Sequence, residues 1–101
     1  MTVYTLALLT IHDRAGFADY ERGFMATFTP HGGAILAVDE NPTVLEGVWP
    51  HTRTVILSFP DQEAFDAWYH SDAYQAIAAH RFKASAGALA VVKGFAPPAS
   101  G

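Results

Sequence analysis

The sequence predicts an α+β domain of the ferredoxin-like kind, β-α-β-β-α-β, with a four-stranded antiparallel sheet and helices on one face. Three observations predict it. Val3 to Ile11, Arg53 to Phe59 and Ala88 to Phe95 carry apolar side chains on both alternating faces, the pattern of strands buried front and back. Aromatic residues recur at helical spacing between them, first Phe17, Tyr20, Phe24 and Phe28, then Phe65, Trp68 and Tyr69. Cap-forming and helix-breaking residues stand at the joins.

Each element follows from its own residues. In the first strand, Val3, Ala7, Leu9 and Ile11 form one apolar face, and Tyr4, Leu6 and Leu8 the other. Asp13 is placed to cap the first helix, and Pro30 with Gly32-Gly33 to end it. A second strand runs from Ala34 to Val38. Asp39-Glu40-Asn41-Pro42 interrupts it, and Thr43 to Val48 is strand-like again. A hairpin at the interruption would reverse the chain and break the alternation, so it is read as a bulge or kink inside one long strand. Trp49-Pro50-His51-Thr52 connects to the third strand, Arg53 to Phe59. Pro60-Asp61 opens a second helix. Ser71-Asp72 caps a further one carrying Tyr74, Ile77, Ala78 and Phe82, and Gly87 is read as its stop. The last strand is Ala88 to Phe95. Residues 1–96 make a single domain and 97–101 a frayed tail, because Pro97-Pro98-Ala99-Ser100-Gly101 has nothing to pack.

Composition narrows the function. Of the 101 residues 50% are hydrophobic and 16% charged, so the chain builds a core. A net charge of −4 with six Lys and Arg argues against nucleic-acid binding, since few cations are available to neutralise phosphates. The absence of cysteine removes disulfides, thiol nucleophiles, iron–sulfur clusters and Cys-type zinc sites. The apolar opening lacks the basic flank of a secretory leader and is too short for a membrane span, so a cytoplasmic location without membrane attachment is expected. The helices can screen only one side of the sheet. The other would leave Leu, Ile and Val side chains in water, each worth roughly 1.5–3 kcal/mol on burial, so a homodimer joined through the sheet face is expected.

The histidines His12, His31, His51, His70 and His80 show no metal-ligand spacing, and no metal site is expected. His31, beside Gly32-Gly33, has either a ligand-facing role or a capping role at the helix end. Glu46 is a carboxylate in an apolar stretch, readable as a general base or as an ion-pair partner of Arg53 or Arg81; the pairing is the favoured reading. Trp49 is either a pocket lip or a packing anchor. Tyr20, Tyr69 and Tyr74 offer hydroxyls near a helix–sheet cleft, although on helical faces they are most simply packing residues with a polar tip. Nucleophilic serine chemistry and phosphate cradling have no motif here.

His31-Gly32-Gly33, Leu45-Glu46-Gly47-x-Trp49-Pro50-x-x-Arg53, Phe59-Pro60 and Trp68-Tyr69-x-Ser71-x-x-Tyr74-Gln75, in this order and spacing, resemble a bacterial family named only as domain of unknown function 1330. Val48 stands where that family commonly has Asp. The resemblance covers the chain to about Phe95 and implies the dimeric α+β barrel superfamily, in which two ferredoxin-like sheets pair into one barrel. It also implies a cleft lined by His31, Glu46, Trp49, Arg53 and Tyr74. The expectation is a small-molecule-binding protein acting without a cofactor, as an oxygenase or isomerase on a small aromatic or polyketide-like compound. Glu46 or His31 would be its catalytic base, with Trp49, Arg53, Tyr74 and Tyr20 binding the ligand. Two alternatives stay open: a non-catalytic ligand-binding or stress-associated dimer, and a haem protein ligated by His31 or His80.

Overall fold

Local sequence sets each helix start. The Asp13 carboxylate accepts the Gly16 N–H (3.1 Å), Asp61 accepts the Ala64 N–H (2.8 Å) and the Ser71 hydroxyl accepts the Tyr74 N–H (3.1 Å). Each satisfies a first-turn amide that has no partner within its helix. The computed structural model describes residues 1–95, and the tail at 97–101 lies outside them. The order is β1 (Val3–Ile11), α1 (Arg14–Phe28), a 3₁₀ turn (Thr29–His31), β2 (Ala34–Asp39), β3 (Arg53–Phe59), α2 (Gln62–Tyr69), α3 (Asp72–Ala84) and β4 (Ser85–Lys93). Gly32 ends the 3₁₀ turn at φ +73°, a left-handed conformation that suits glycine.

The strands lie in the order β2-β3-β1-β4, and every neighbouring pair is antiparallel. This is the predicted ferredoxin-like sheet. β1 shows the face arithmetic directly: Val3, Thr5, Ala7, Leu9 and Ile11 are buried, while the residues between them are half-buried. The buried face meets the helices around a core that includes Phe17, Phe28, Leu57, Phe59, Phe65, Trp68, Tyr74 and Ala78. The opposite face displays Leu6, Leu8, Ile56, Ala88, Ala90 and Val92 in register across β3, β1 and β4. No helix of the chain covers that face among the described residues.

Four expectations need correction. The sheet does not close. β2 and β4 are its two edges, separated by β3 and β1, so the chain forms an open four-stranded sheet and not the α+β barrel that the resemblance implied. Secondly, Asp39–Pro42 is not a kink within a long strand. β2 ends at Asp39, whose carboxylate accepts the Asn41 N–H (2.8 Å) in a turn, and residues 40–52 form a loop containing no strand. Pro42 has no N–H for a ladder, and both sides of β3 are already taken, by β2 and β1. The bulge in β2 lies earlier, at Leu36, between the Ile35↔Leu57 and Ala37↔Ile56 pairs.

Thirdly, Gly87 does not stop the last helix. Helix α3 closes at Ala84, and β4 begins at once at Ser85, which pairs with Ile11. Gly87 sits inside β4 at φ +152°, where a Cβ would run into the Leu8 carbonyl oxygen. The strand also ends at Lys93, leaving Phe95 beyond it and exposed. Finally, Phe82 is exposed, and Arg81 occupies the buried stripe of α3 in its place. At 3.6 residues per turn, Arg81 falls about 20° from Tyr74 around the helix axis, whereas Phe82 falls about 80° away.

Candidate active site

A cavity of about 240 Å3 lies between the helices and the sheet. Its sheet wall is Ala7, Leu9, Val55, Leu57 and Leu89, with Ile35 and Val38 from β2. Phe17, Tyr20, Phe24, Trp68 and Tyr74 make an aromatic wall opposite. Three charged side chains reach it, Glu21, Arg53 and Arg81. Glu21, Met25, Ile35 and Val38 are exposed, which places the mouth between α1 and the edge strand β2. Tyr20, Trp68, Tyr74 and Arg81 are buried and form the interior.

Helical phase builds the interior. Tyr20 is one turn from Phe17 and from Phe24 on α1, and the ring centroids lie 5.3 and 5.9 Å apart. Tyr74 opens α3 and packs on Trp68 at 4.1 Å. Trp68 donates its indole N–H to Thr27 Oγ1 (3.3 Å), fixing its ring against α1. The two helices bring Tyr20 Oη and Tyr74 Oη to 2.9 Å, a buried hydrogen bond between phenols. Burial pushes the Tyr20 phenol well above its usual range, and the neighbouring Tyr74 adds to this while Arg81 opposes it. Tyr20 is therefore a neutral hydroxyl at physiological pH. Arg81 lies 5.8 Å from the Tyr20 ring centroid and 4.7 Å from that of Phe82.

At the mouth the charges pair off. Arg53 Nη1 donates to Glu21 Oε2 (2.7 Å), its Nε and Nη2 donate to Glu40 Oε2 (3.3 and 3.2 Å), and Arg14 Nη1 donates to the same Glu40 oxygen (2.6 Å). Arg53 also lies over the Phe17 ring, 5.0 Å from its centroid. Burial alone would lower the Arg53 pKa, but Glu21 and Glu40 outweigh it and hold the guanidinium charged. The Arg14 hydrogen bond, chiefly, keeps the Glu40 carboxyl below the usual range.

The six residues singled out from the sequence part into groups. Tyr20, Tyr74 and Arg53 come together on the cavity. Glu46 and Trp49 lie instead in a shallow surface hollow of the 40–52 loop with Pro42, Thr43, Val44 and Leu45. Glu46 is exposed there, and the ion pairs of Arg53 go to Glu21 and Glu40. Trp49 packs edge-on against His51 at 5.3 Å. His31 is half-buried in the 3₁₀ turn and lines neither space. His80 is exposed on α3, and the cavity wall contains no histidine that could ligate haem iron. Among the described residues no cluster of His, Asp and Glu could hold a metal, and no helix is long and apolar enough to cross a membrane. Sequence reading missed Glu21 and Arg81 as cavity residues. Arg81 had a signal, its phase with Tyr74; Glu21 had none, because its partner Arg53 is distant in the chain.

A family model described as Domain of unknown function (DUF1330) matches residues 2–95. No curated protein sequence matches the chain. Among solved structures, RPA0582 from Rhodopseudomonas palustris, a protein of unknown function, is similar with a TM-score of 0.79 at 20% identity, over 95% of this chain and 84% of that one. A dimeric ferredoxin-like protein of unknown function from a Jannaschia species gives 0.66 at 17% identity, over 91% and 96%. SnoaB, a cofactor-independent oxygenase from Streptomyces nogalater, gives 0.59 at 16% identity, over 98% of both chains. These likenesses show a shared fold.

Proposed function

We propose, for this chain that belongs to the DUF1330 family, that the cavity between helices and sheet binds a compact aromatic compound. The observation that carries this is the wall itself: five aromatic side chains face aliphatic strand residues around a space of about 240 Å3. An apolar cavity of roughly 150 Å3 holds one benzene ring, so one or two fused rings suit this one. A few polar groups set among apolar walls are the usual makeup of a small-molecule site.

A thermal-shift screen of one- and two-ring aromatic compounds tests it. Compounds that fit raise the melting temperature, since binding to the native state stabilises it in proportion to the logarithm of ligand excess. Val55→Phe, which fills the cavity from β3, abolishes the shift and leaves the fold intact. If no compound stabilises the protein, or if the shift survives the filled cavity, the reading is wrong.

A second reading adds catalysis to binding, as a cofactor-independent oxygenase or isomerase of the bound compound. The fold shared with SnoaB favours it. Its measure is substrate-dependent dioxygen uptake, or isomer formation, in protein stripped of metal by chelation.

The apolar outer face of the sheet supports one more proposal, that a second copy of the chain covers it. The Jannaschia protein, described as dimeric, is a precedent for a dimer of this fold.

A further inference from the structure

We infer that the compound held in the cavity is an aromatic carboxylate, its acidic group anchored by Arg81 with the Tyr20–Tyr74 hydroxyl pair. This rests on the reading of the cavity as a small-molecule site and names the chemistry of its ligand.

The charge balance of the wall leads there. Arg14, Glu40, Arg53 and Glu21 form a closed network of two cations and two carboxylates at the mouth. Arg81 is outside it. The residue is buried, 8% exposed, and no carboxylate lies within ion-pairing distance of its guanidinium among the described residues. Its Nε is enclosed and has no hydrogen-bond partner among the described residues. A buried guanidinium is rarely left without a counter-anion, because the desolvated charge needs one. In a chain of net charge −4 the cavity interior is thus locally positive.

Counting donors agrees. Two phenols carry two protons, and their mutual bond uses one. The other O–H remains free to donate, and the guanidinium adds N–H donors while accepting nothing. The interior therefore offers more donors than acceptors. A carboxylate, with acceptors only and a planar shape that fits the guanidinium fork, completes it. The aromatic walls around Trp68 and Tyr74 take the ring to which that carboxylate is attached.

The test titrates the full chain with 2-naphthoate and with its neutral isostere 2-naphthamide, following heat and tryptophan fluorescence at neutral pH. Naphthoate binds about tenfold or more tightly than the amide, the gain of hydrogen bonds to a charged group. Arg81→Met, which keeps the aliphatic stem, levels the two affinities, and Arg81→Lys keeps part of the preference. Tyr74→Phe weakens naphthoate severalfold more than naphthamide. Circular dichroism checks each variant. Should Arg81→Met not fold, the comparison in the unaltered protein and in Tyr74→Phe decides alone. Equal affinity for acid and amide, or a preference that persists in Arg81→Met, overturns the inference and leaves the cavity reading standing. Binding of neither compound at millimolar concentration overturns both.

Discussion

At the scale of single residues, the buried pair of phenols governs how the interior behaves with pH. Tyr20 is neutral in the fold because ionising it would place a charge among Phe17, Phe24 and Tyr74. Its folded pKa lies above the unfolded value near pH 10. The stabilisation is therefore complete below about pH 10 and declines as pH rises beyond it. Tyrosinate absorbance should show Tyr20 ionising only as the protein unfolds in alkali, and Tyr20→Phe should move that unfolding to higher pH. A Tyr20 signal titrating near pH 10 while the native circular dichroism persists would contradict this. Arg81 teaches the other lesson of this scale. A run such as His80-Arg81-Phe82 invites the apolar residue inward, yet the phase set by Tyr74 and Ala84 admits the arginine and leaves Phe82 outside, against its guanidinium.

Among the elements, those with local causes were legible. Asp13, Asp61 and Ser71 each cap the helix expected of them, because a cap is made within one turn of chain and depends on no distant partner. Helix α2 has only 8 residues and relies on its cap more than α1 or α3 do. Asp61→Ala is expected to lower stability by about 1 kcal/mol, seen as a reduced midpoint in urea without a change of slope. An unchanged midpoint would mean that packing of Phe65 and Trp68 alone holds the helix. Residues 43–48 misled for the opposite reason. Val44, Leu45 and Val48 suit a strand, but a strand exists only with a partner, and the ladder positions beside β3 are filled. These side chains stay exposed on the loop, and Glu46 and Trp49 stay with them, away from the cavity.

For the molecule as a whole, the sheet has two faces and the described residues supply cover for one. Leu6, Leu8 and Ile56 line up across β1 and β3 on the uncovered side. On the proposal that a second copy lies there, sedimentation at micromolar concentration gives a mass near twice that of one chain. Ile56→Lys brings it to one, by placing a charge where the two sheets would meet. A single-chain mass for the unaltered protein would remove the proposal. The cavity depends on this scale too. Its wall draws on β1, β2, β3 and β4 and on all three helices, so no segment contains it.

By itself the sequence determined what nearest neighbours decide: the helix caps, the two-sided strands, the aromatic stripes of α1 and α2, and through them the order of elements. Side-chain alternation and helical phase act within a few residues, and a reader of the chain has the same information as the chain. Tertiary structure alone decided that the sheet stays open, that residues 43–48 find no ladder, that Arg53 pairs with Glu21 and Glu40, that Tyr20 bonds Tyr74, and that Arg81 lies against the Tyr20 ring. Each of these is a contact between segments far apart in the chain. Its free energy depends on which partners are already occupied, and that is settled only when the whole chain has packed.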